Sequence, residues 1–118
     1  MADLARTRES APSPTVSTVL TFLIADVRGY TRFTVEQGDE AAARLASRFA
    51  ELCEEVVGAH EGEVIELRGD EALAVFASAR NALRAAVTLQ HIFRQAVVDD
   101  SSLPLNVGMG LDAGEVIS

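Results

Sequence analysis

Thr18 to Ala25 is apolar or β-branched throughout, which reads as a strand in the middle of a sheet. It runs into Asp26-Val27-Arg28-Gly29-Tyr30-Thr31, a polar turn around a glycine. A short helical turn is expected over Thr31 to Gln37, ended by Gly38. The period then changes. Leu45, Phe49, Leu52, Cys53 and Val56 recur at spacings of three and four, so Glu40 to Ala59 is predicted as a helix with one apolar face, N-capped by Asp39. Arg44, Arg48, Glu51, Glu54 and Glu55 fall mostly off that face and read as solvated charges.

Gly62 to Leu67 and Glu71 to Phe76 are two short strands, with Arg68-Gly69-Asp70 as the tight turn of a hairpin. Ser78 suits the N-cap of a second long helix, Ala79 to about Val98, with Ala82, Ala86, Leu89 and Phe93 as its core stripe. After a loop over 99–104, Leu105, Val107, Met109 and Leu111 alternate with Asn106, Gly108 and Gly110. That predicts a strand with one face of large residues and one nearly bare face. Asp112-Ala113-Gly114-Glu115 reads as a further turn.

The order β-α-α-β-β-α-β with right-handed crossovers predicts an α+β fold, a ferredoxin-like antiparallel sheet with both long helices on one face. The hairpin's second strand should lie between the first two strands. The opposite sheet face stays open, and its glycines suit close approach by a ligand or a second subunit. Residues 1–17 are polar and carry Pro12 and Pro14, so a flexible lead-in is expected ahead of a domain over 18–118.

Composition narrows the function classes. With 48% hydrophobic residues, the 118-residue chain can build one modest core. A net charge of −8 argues against nucleic acid or an anionic membrane surface as partner. It does not count against a nucleotide, which arrives with its own Mg²⁺. The single cysteine, Cys53, excludes an internal disulfide and reads as a small buried hydrophobe, in keeping with a cytoplasmic location. No apolar run approaches the roughly 18 residues of a membrane span, and the N-terminus lacks a signal-peptide core.

The topology brings two distant carboxylates together. The first strand should run antiparallel to the third, so the end of one lies beside the start of the other. Asp26 and Asp70, 44 residues apart, occupy those two places. Mg²⁺ and Mn²⁺ want hard oxygen donors, and two such ions roughly 3.5–4 Å apart can activate one oxygen and stabilise a leaving one. The turn from Val27 through Arg28, Gly29 and Tyr30 to Thr31 adds backbone N–H groups entering a helix, a phosphate cradle. Aspartates at a strand end and in a hairpin turn are equally ordinary turn chemistry, and spacing leaves both readings open.

Three segments carry a resemblance. TVLTFLIADVRGYTRF resembles the opening strand and loop of the class III adenylyl and guanylyl cyclases, roughly F-x-D-I-x-G-F-T. HEGEVIELRGDEALAVF resembles their hairpin, and LNVGMGLDAGEVI their following strand and glycine turn. Order and spacing agree over residues 18–118. The resemblance implies metal binding by Asp26, Asp70 and the Val27 carbonyl, and triphosphate binding by the loop holding Gly29, Tyr30 and Thr31. It implies two Mg²⁺ or Mn²⁺ ions, ATP or GTP as substrate, and a homodimer formed head to tail through the open sheet face. The reaction implied is attack of the ribose 3′-hydroxyl on the α-phosphate with release of pyrophosphate.

Glu66 stands where adenylyl cyclases usually carry a base-reading lysine and guanylyl cyclases a glutamate, which leans towards GTP. Ile24 and Tyr30 replace phenylalanines that the family often has. The family's transition-state Asn…Arg pair is missing, because no Asn-x-x-x-Arg segment follows residue 106. The chain therefore reads as the N-terminal portion of a cyclase homology domain lacking its C-terminal part, without catalytic residues of that kind and inactive alone. A regulatory nucleotide-binding or dimerisation module is the alternative. Diguanylate cyclases share Gly69-Asp70-Glu71 but expect Asp-x-Asp-x-Phe-Lys after the first strand, which this chain lacks. Arg68-Gly69-Asp70 as an integrin signal is set aside as chance. His60 and His91 have no ligand spacing and read as a helix end and a helix surface.

Overall fold

The structure is a computed structural model, and it describes residues 17–117. The elements follow in the order β1 (Ser17–Val27), α1 (Tyr30–Gln37), α2 (Asp39–Ala59), β2 (Gly62–Arg68), β3 (Glu71–Phe76), α3 (Ala79–Asp99) and β4 (Val107–Ile117). They form one four-stranded sheet in the order β2-β3-β1-β4, antiparallel at every step. The hairpin's second strand, β3, lies between β2 and β1, and the fold is the expected ferredoxin-like α+β sheet.

Period-two alternation decides which side chains meet the helices. Leu23, Ala25 and Val27 of β1 and Ala72, Ala74 and Phe76 of β3 are buried under α2 and α3. The helices contribute Leu45, Phe49, Leu52, Cys53, Val56 and Val57, then Ala82, Ala85, Leu89 and Phe93. Phe49 and Phe93 join the two helices, with ring centroids 5.8 Å apart and planes at 21°. Such a stacked pair contributes about 0.5–1.5 kcal/mol beyond its area burial. The small residues of β3 let the helices settle close onto the sheet centre.

The other face carries the alternate set. Phe22, Ile24, Leu73 and Val75 are only partly covered, and Ile24 is 50% exposed. Gly108, Gly110 and Gly114 of β4 pair with Asp26, Ile24 and Leu20 on this face, so the bare side of β4 points to it as expected. The first strand is thus central in the sheet but buried on one face only.

Five sequence expectations need correction. The turn expected over Asp26 to Thr31 shrinks to Arg28 and Gly29, because Asp26 and Val27 stay paired in β1 and α1 begins at Tyr30. The turn expected at Asp112–Glu115 does not form. These residues continue β4 in register, opposite Phe22, Thr21, Leu20 and Val19. The long β1 offers an unbroken ladder of partners, and a full set of backbone hydrogen bonds outweighs local turn propensity. The same strand starts at Val107, not Leu105; Leu105 is instead buried under the helices. Gly38, with φ 95°, is the N-cap of α2, and Asp39 is the first helical residue. There its charge sits with that of Glu40 in the first turn, favourable to the helix dipole by about 0.3–1 kcal/mol each. In α3 Ala82 is fully buried as expected, and so is Ala85, while Ala86 is half-buried and packs at the margin of the core. Ser78 does cap α3, its Oγ accepting from the Asn81 N–H at 3.1 Å. His60 is the C-cap of α2, and His91 is exposed on α3. The flexible segment expected before the sheet lies outside the described residues, apart from Ser17, which pairs with Ile117 at the start of β1.

Candidate functional site

The end of β1 and the tip of the β2–β3 hairpin are joined by backbone. The Val27 N–H donates to the Asp70 carbonyl at 2.9 Å, one residue beyond the last β1–β3 pair, Asp26 with Glu71. On the other side, the Arg28 N–H donates to the Asn106 carbonyl at 2.7 Å. The β1–α1 loop is therefore clamped between the hairpin tip and the approach to β4. Asp26 and Asp70 sit on the two clamped segments.

The loop then turns through Gly29, whose φ of 73° is a left-handed conformation that glycine adopts without steric cost. Gly29 is the N-cap of α1, and the first intrahelical bond runs from the Phe33 N–H to the Gly29 carbonyl at 2.9 Å. The N–H groups of Tyr30, Thr31 and Arg32 precede that bond and have no intrahelical acceptor. Tyr30 ties the turn down. Its ring packs against the core, and its hydroxyl donates to the Ala42 carbonyl of α2 at 3.3 Å. The Thr34 hydroxyl donates to the Tyr30 carbonyl at 2.9 Å. Thr31 is exposed in the first turn.

Asp26 faces the open side of the sheet with its side chain about half exposed, and its Oδ1 lies 3.8 Å from the Arg28 Nε. The Arg28 guanidinium lies over Gly108, where a Cβ would collide with it. An exposed pair at that distance contributes about 0–1 kcal/mol, so it yields readily to a stronger cation. Carboxylates and backbone carbonyls are the donors that Mg²⁺ and Mn²⁺ prefer, so the chemistry of Asp26, Asp70 and the Val27 carbonyl fits such ions. Among the described residues no group of three or more His, Cys, Asp or Glu could hold a metal. An ion here would complete its shell with water and phosphate oxygens, which is the usual habit of Mg²⁺.

Glu66 and Arg68 share one side of β2, two residues apart. The Arg68 Nε and Nη2 both donate to Oε2 of Glu66, at 3.0 and 2.8 Å. Ile24 and Leu73 provide an apolar floor beside them in a cavity of about 200 Å³, which Glu71 and Ala72 also border. A second cavity, of about 540 Å³, opens at the β4 edge beside the loop and is lined by Arg28, Arg94 and Asn106 among others. Sequence reading left Arg28 and Arg68 without individual partners. Their i,i+2 spacing from Asp26 and Glu66 on strands was the available signal, since a period of two puts both members on one face.

No family profile matches the chain. Among curated proteins, 92 residues are 35% identical to a protein named putative adenylate cyclase 3 of Rhizobium meliloti (strain 1021), over 75% of this chain. A second match, of 100 residues at 31% identity over 84% of this chain, is to serine/threonine-protein kinase pkn2 of Myxococcus xanthus. The matches span only 16% and 12% of the lengths of these two relatives. Among solved structures, the guanylyl cyclase Cya2 aligns with a TM-score of 0.75 at 25% identity, covering 89% of this chain and 58% of that one. A bacterial light-regulated adenylyl cyclase aligns with a TM-score of 0.78 at 21% identity, over 89% of this chain and 33% of that one. The adenylyl cyclase CyaB from P. aeruginosa gives 0.74 at 20% identity, over 89% and 60%. The antiparallel sheet with its helices on one face thus has the fold of part of these domains. In fold and sequence pattern the chain is similar to part of a class III nucleotide cyclase catalytic domain.

Proposed function

We propose that the chain is the metal- and triphosphate-binding part of a purine nucleoside triphosphate cyclase domain, which converts ATP or GTP into a cyclic nucleotide and pyrophosphate. The observation that carries this reading is the 2.9 Å bond from the Val27 N–H to the Asp70 carbonyl. It joins two aspartate-bearing segments immediately before a glycine-led helix N-terminus. Similarity to a protein named as an adenylate cyclase and to solved cyclases of both base types supports it.

Asp26, Asp70 and the Val27 carbonyl would hold two Mg²⁺ or Mn²⁺ ions, which supply neutralising charge at the triphosphate. The chain's own work is positioning. The N–H groups from Gly29 to Thr31 donate to phosphate oxygens, and Gly29 lets that backbone approach closely. Tyr30, anchored on Ala42, keeps the loop in place while it is loaded. Arg28 releases Asp26 and turns towards phosphate. Glu66, on the open face, accepts hydrogen bonds from the base, which favours GTP. The strands after this portion would supply the transition-state Asn…Arg pair, so the 118 residues alone bind nucleotide without turning it over. The open face of Phe22, Ile24, Leu73 and Val75, beside the glycines of β4, fits a second copy of the domain. A cytoplasmic setting, where nucleoside triphosphates are made, agrees with the buried free thiol of Cys53. No helix among the described residues is long and apolar enough to cross a membrane.

The test uses the protein at its full natural length. Turnover of ATP and GTP is assayed with Mn²⁺, in the wild type and in Asp26→Ala and Asp70→Ala. Cyclic product that disappears in both variants is expected. Absence of product with nucleotide binding intact would favour the regulatory module. The match to part of a protein named as a kinase gives that second reading its footing.

A further inference from the structure

We infer that Arg68 is a second base-contacting residue, and that Glu66 and Arg68 together form a guanine-edge site on β2. This deepens the nucleotide reading above and rests on it. Arg68 is engaged only through Nε and Nη2, both on Oε2 of Glu66 at 3.0 and 2.8 Å. Its Nη1 has no partner among the described residues, and the same holds for Oε1 of Glu66. A carboxylate only accepts and a guanidinium only donates, so the pair presents an acceptor and a donor side by side. The floor beside them, Ile24 and Leu73, is apolar and suits the flat face of a ring.

The edge that matches best is guanine's. Its N1–H and N2–H groups donate to the carboxylate, while its O6 accepts from Arg68 Nη1. Adenine's edge offers one donor and one acceptor, so it would make two bonds where guanine makes three. The arginine also offsets the charge of Glu66, which lowers the cost of bringing Glu66 under a base. Arg68 is 70% exposed and Glu66 about half exposed, at 47%, so the pair can open towards a ligand with little loss.

The experiment is equilibrium binding of GTP, 6-thio-GTP and ATP, each with Mg²⁺, to the 118-residue chain and to its Arg68→Ala and Arg68→Lys variants. The thiocarbonyl of 6-thio-GTP accepts hydrogen bonds poorly but keeps both guanine donors. The wild type should bind GTP about tenfold more tightly than 6-thio-GTP, the scale of one charge-assisted hydrogen bond. That ratio should fall to near one in Arg68→Ala and recover in part in Arg68→Lys. An unchanged ratio in Arg68→Ala, or equal weakening of both ligands, overturns the base contact and leaves the nucleotide reading standing. A wild type that binds ATP but not GTP overturns the guanine assignment. A wild type that binds none of the three overturns the nucleotide reading and this inference with it.

Discussion

Gly62→Ala tests the packing at the base of the hairpin that carries Asp70. A Cβ built on Gly62 would lie 2.6 and 2.7 Å from Cδ2 and Cζ of Phe76, and closer still to Cε2. Ordinary contact begins near 3.4 Å, so the ring would have to retreat by close to 1 Å. It has nowhere to go, because Phe76 is 1% exposed and sits in the main core. Overpacking of this kind costs about 1–3 kcal/mol. Gly62 has an ordinary φ, so alanine recovers about 0.4–1 kcal/mol by restricting the unfolded chain. The net loss expected is about 0.5–2 kcal/mol. Urea unfolding followed by circular dichroism should show the midpoint falling by about 0.3–1 M, taking m as about 2 kcal/mol/M. Phe76→Leu supplies the internal check, since the smaller side chain removes the collision. In that background Gly62→Ala should cost nothing, so the double-mutant cycle must show coupling. A Gly62→Ala protein as stable as wild type, or a penalty unchanged in the Phe76→Leu background, would refute the reasoning.

Two further outcomes follow from single residues. Burial, with a smaller contribution from the Glu54 charge, pushes the Cys53 thiol up from an ordinary 9.0 to about 12. The folded state thus prefers the neutral thiol. The associated stability is fully present below pH 9 and is lost as pH rises from there towards 12. The urea midpoint should decline above pH 9 with a component absent from Cys53→Ala, and a thiol reagent at about pH 8, just below the ordinary thiol range, should react in urea but barely in buffer. Ser78→Ala removes the acceptor for the Asn81 N–H, and should lower stability by about 1 kcal/mol in the same urea assay; no change there would mean that water replaces the cap.

Much of the architecture was legible along the chain. The apolar spacing of Leu45, Phe49, Leu52, Cys53 and Val56 located α2 because a helix must bury one face to be stable in so small a protein. Ser78 located the start of α3 through its capping chemistry. The order of the elements, with the handedness of crossovers, led to the sheet and to the meeting of the Asp26 and Asp70 segments. What failed was local. Asp112 to Glu115 has turn composition, yet it is strand, because each residue finds a β1 partner that no local window contains.

The sequence by itself determined the kinds of element, their order and the residue types brought to the end of β1, since periodicity and composition act over neighbours a few positions apart. Only the tertiary structure decided the length of the β1–β4 ribbon, the Val27–Asp70 clamp, the seat of Arg28 on Gly108 and the pairing of Arg68 with Glu66. These depend on register and on side-chain reach in three dimensions, and on rotamer choices among groups whose energies differ by little more than RT. A linear pattern constrains which face a residue occupies, but not which of its neighbours on that face it grasps.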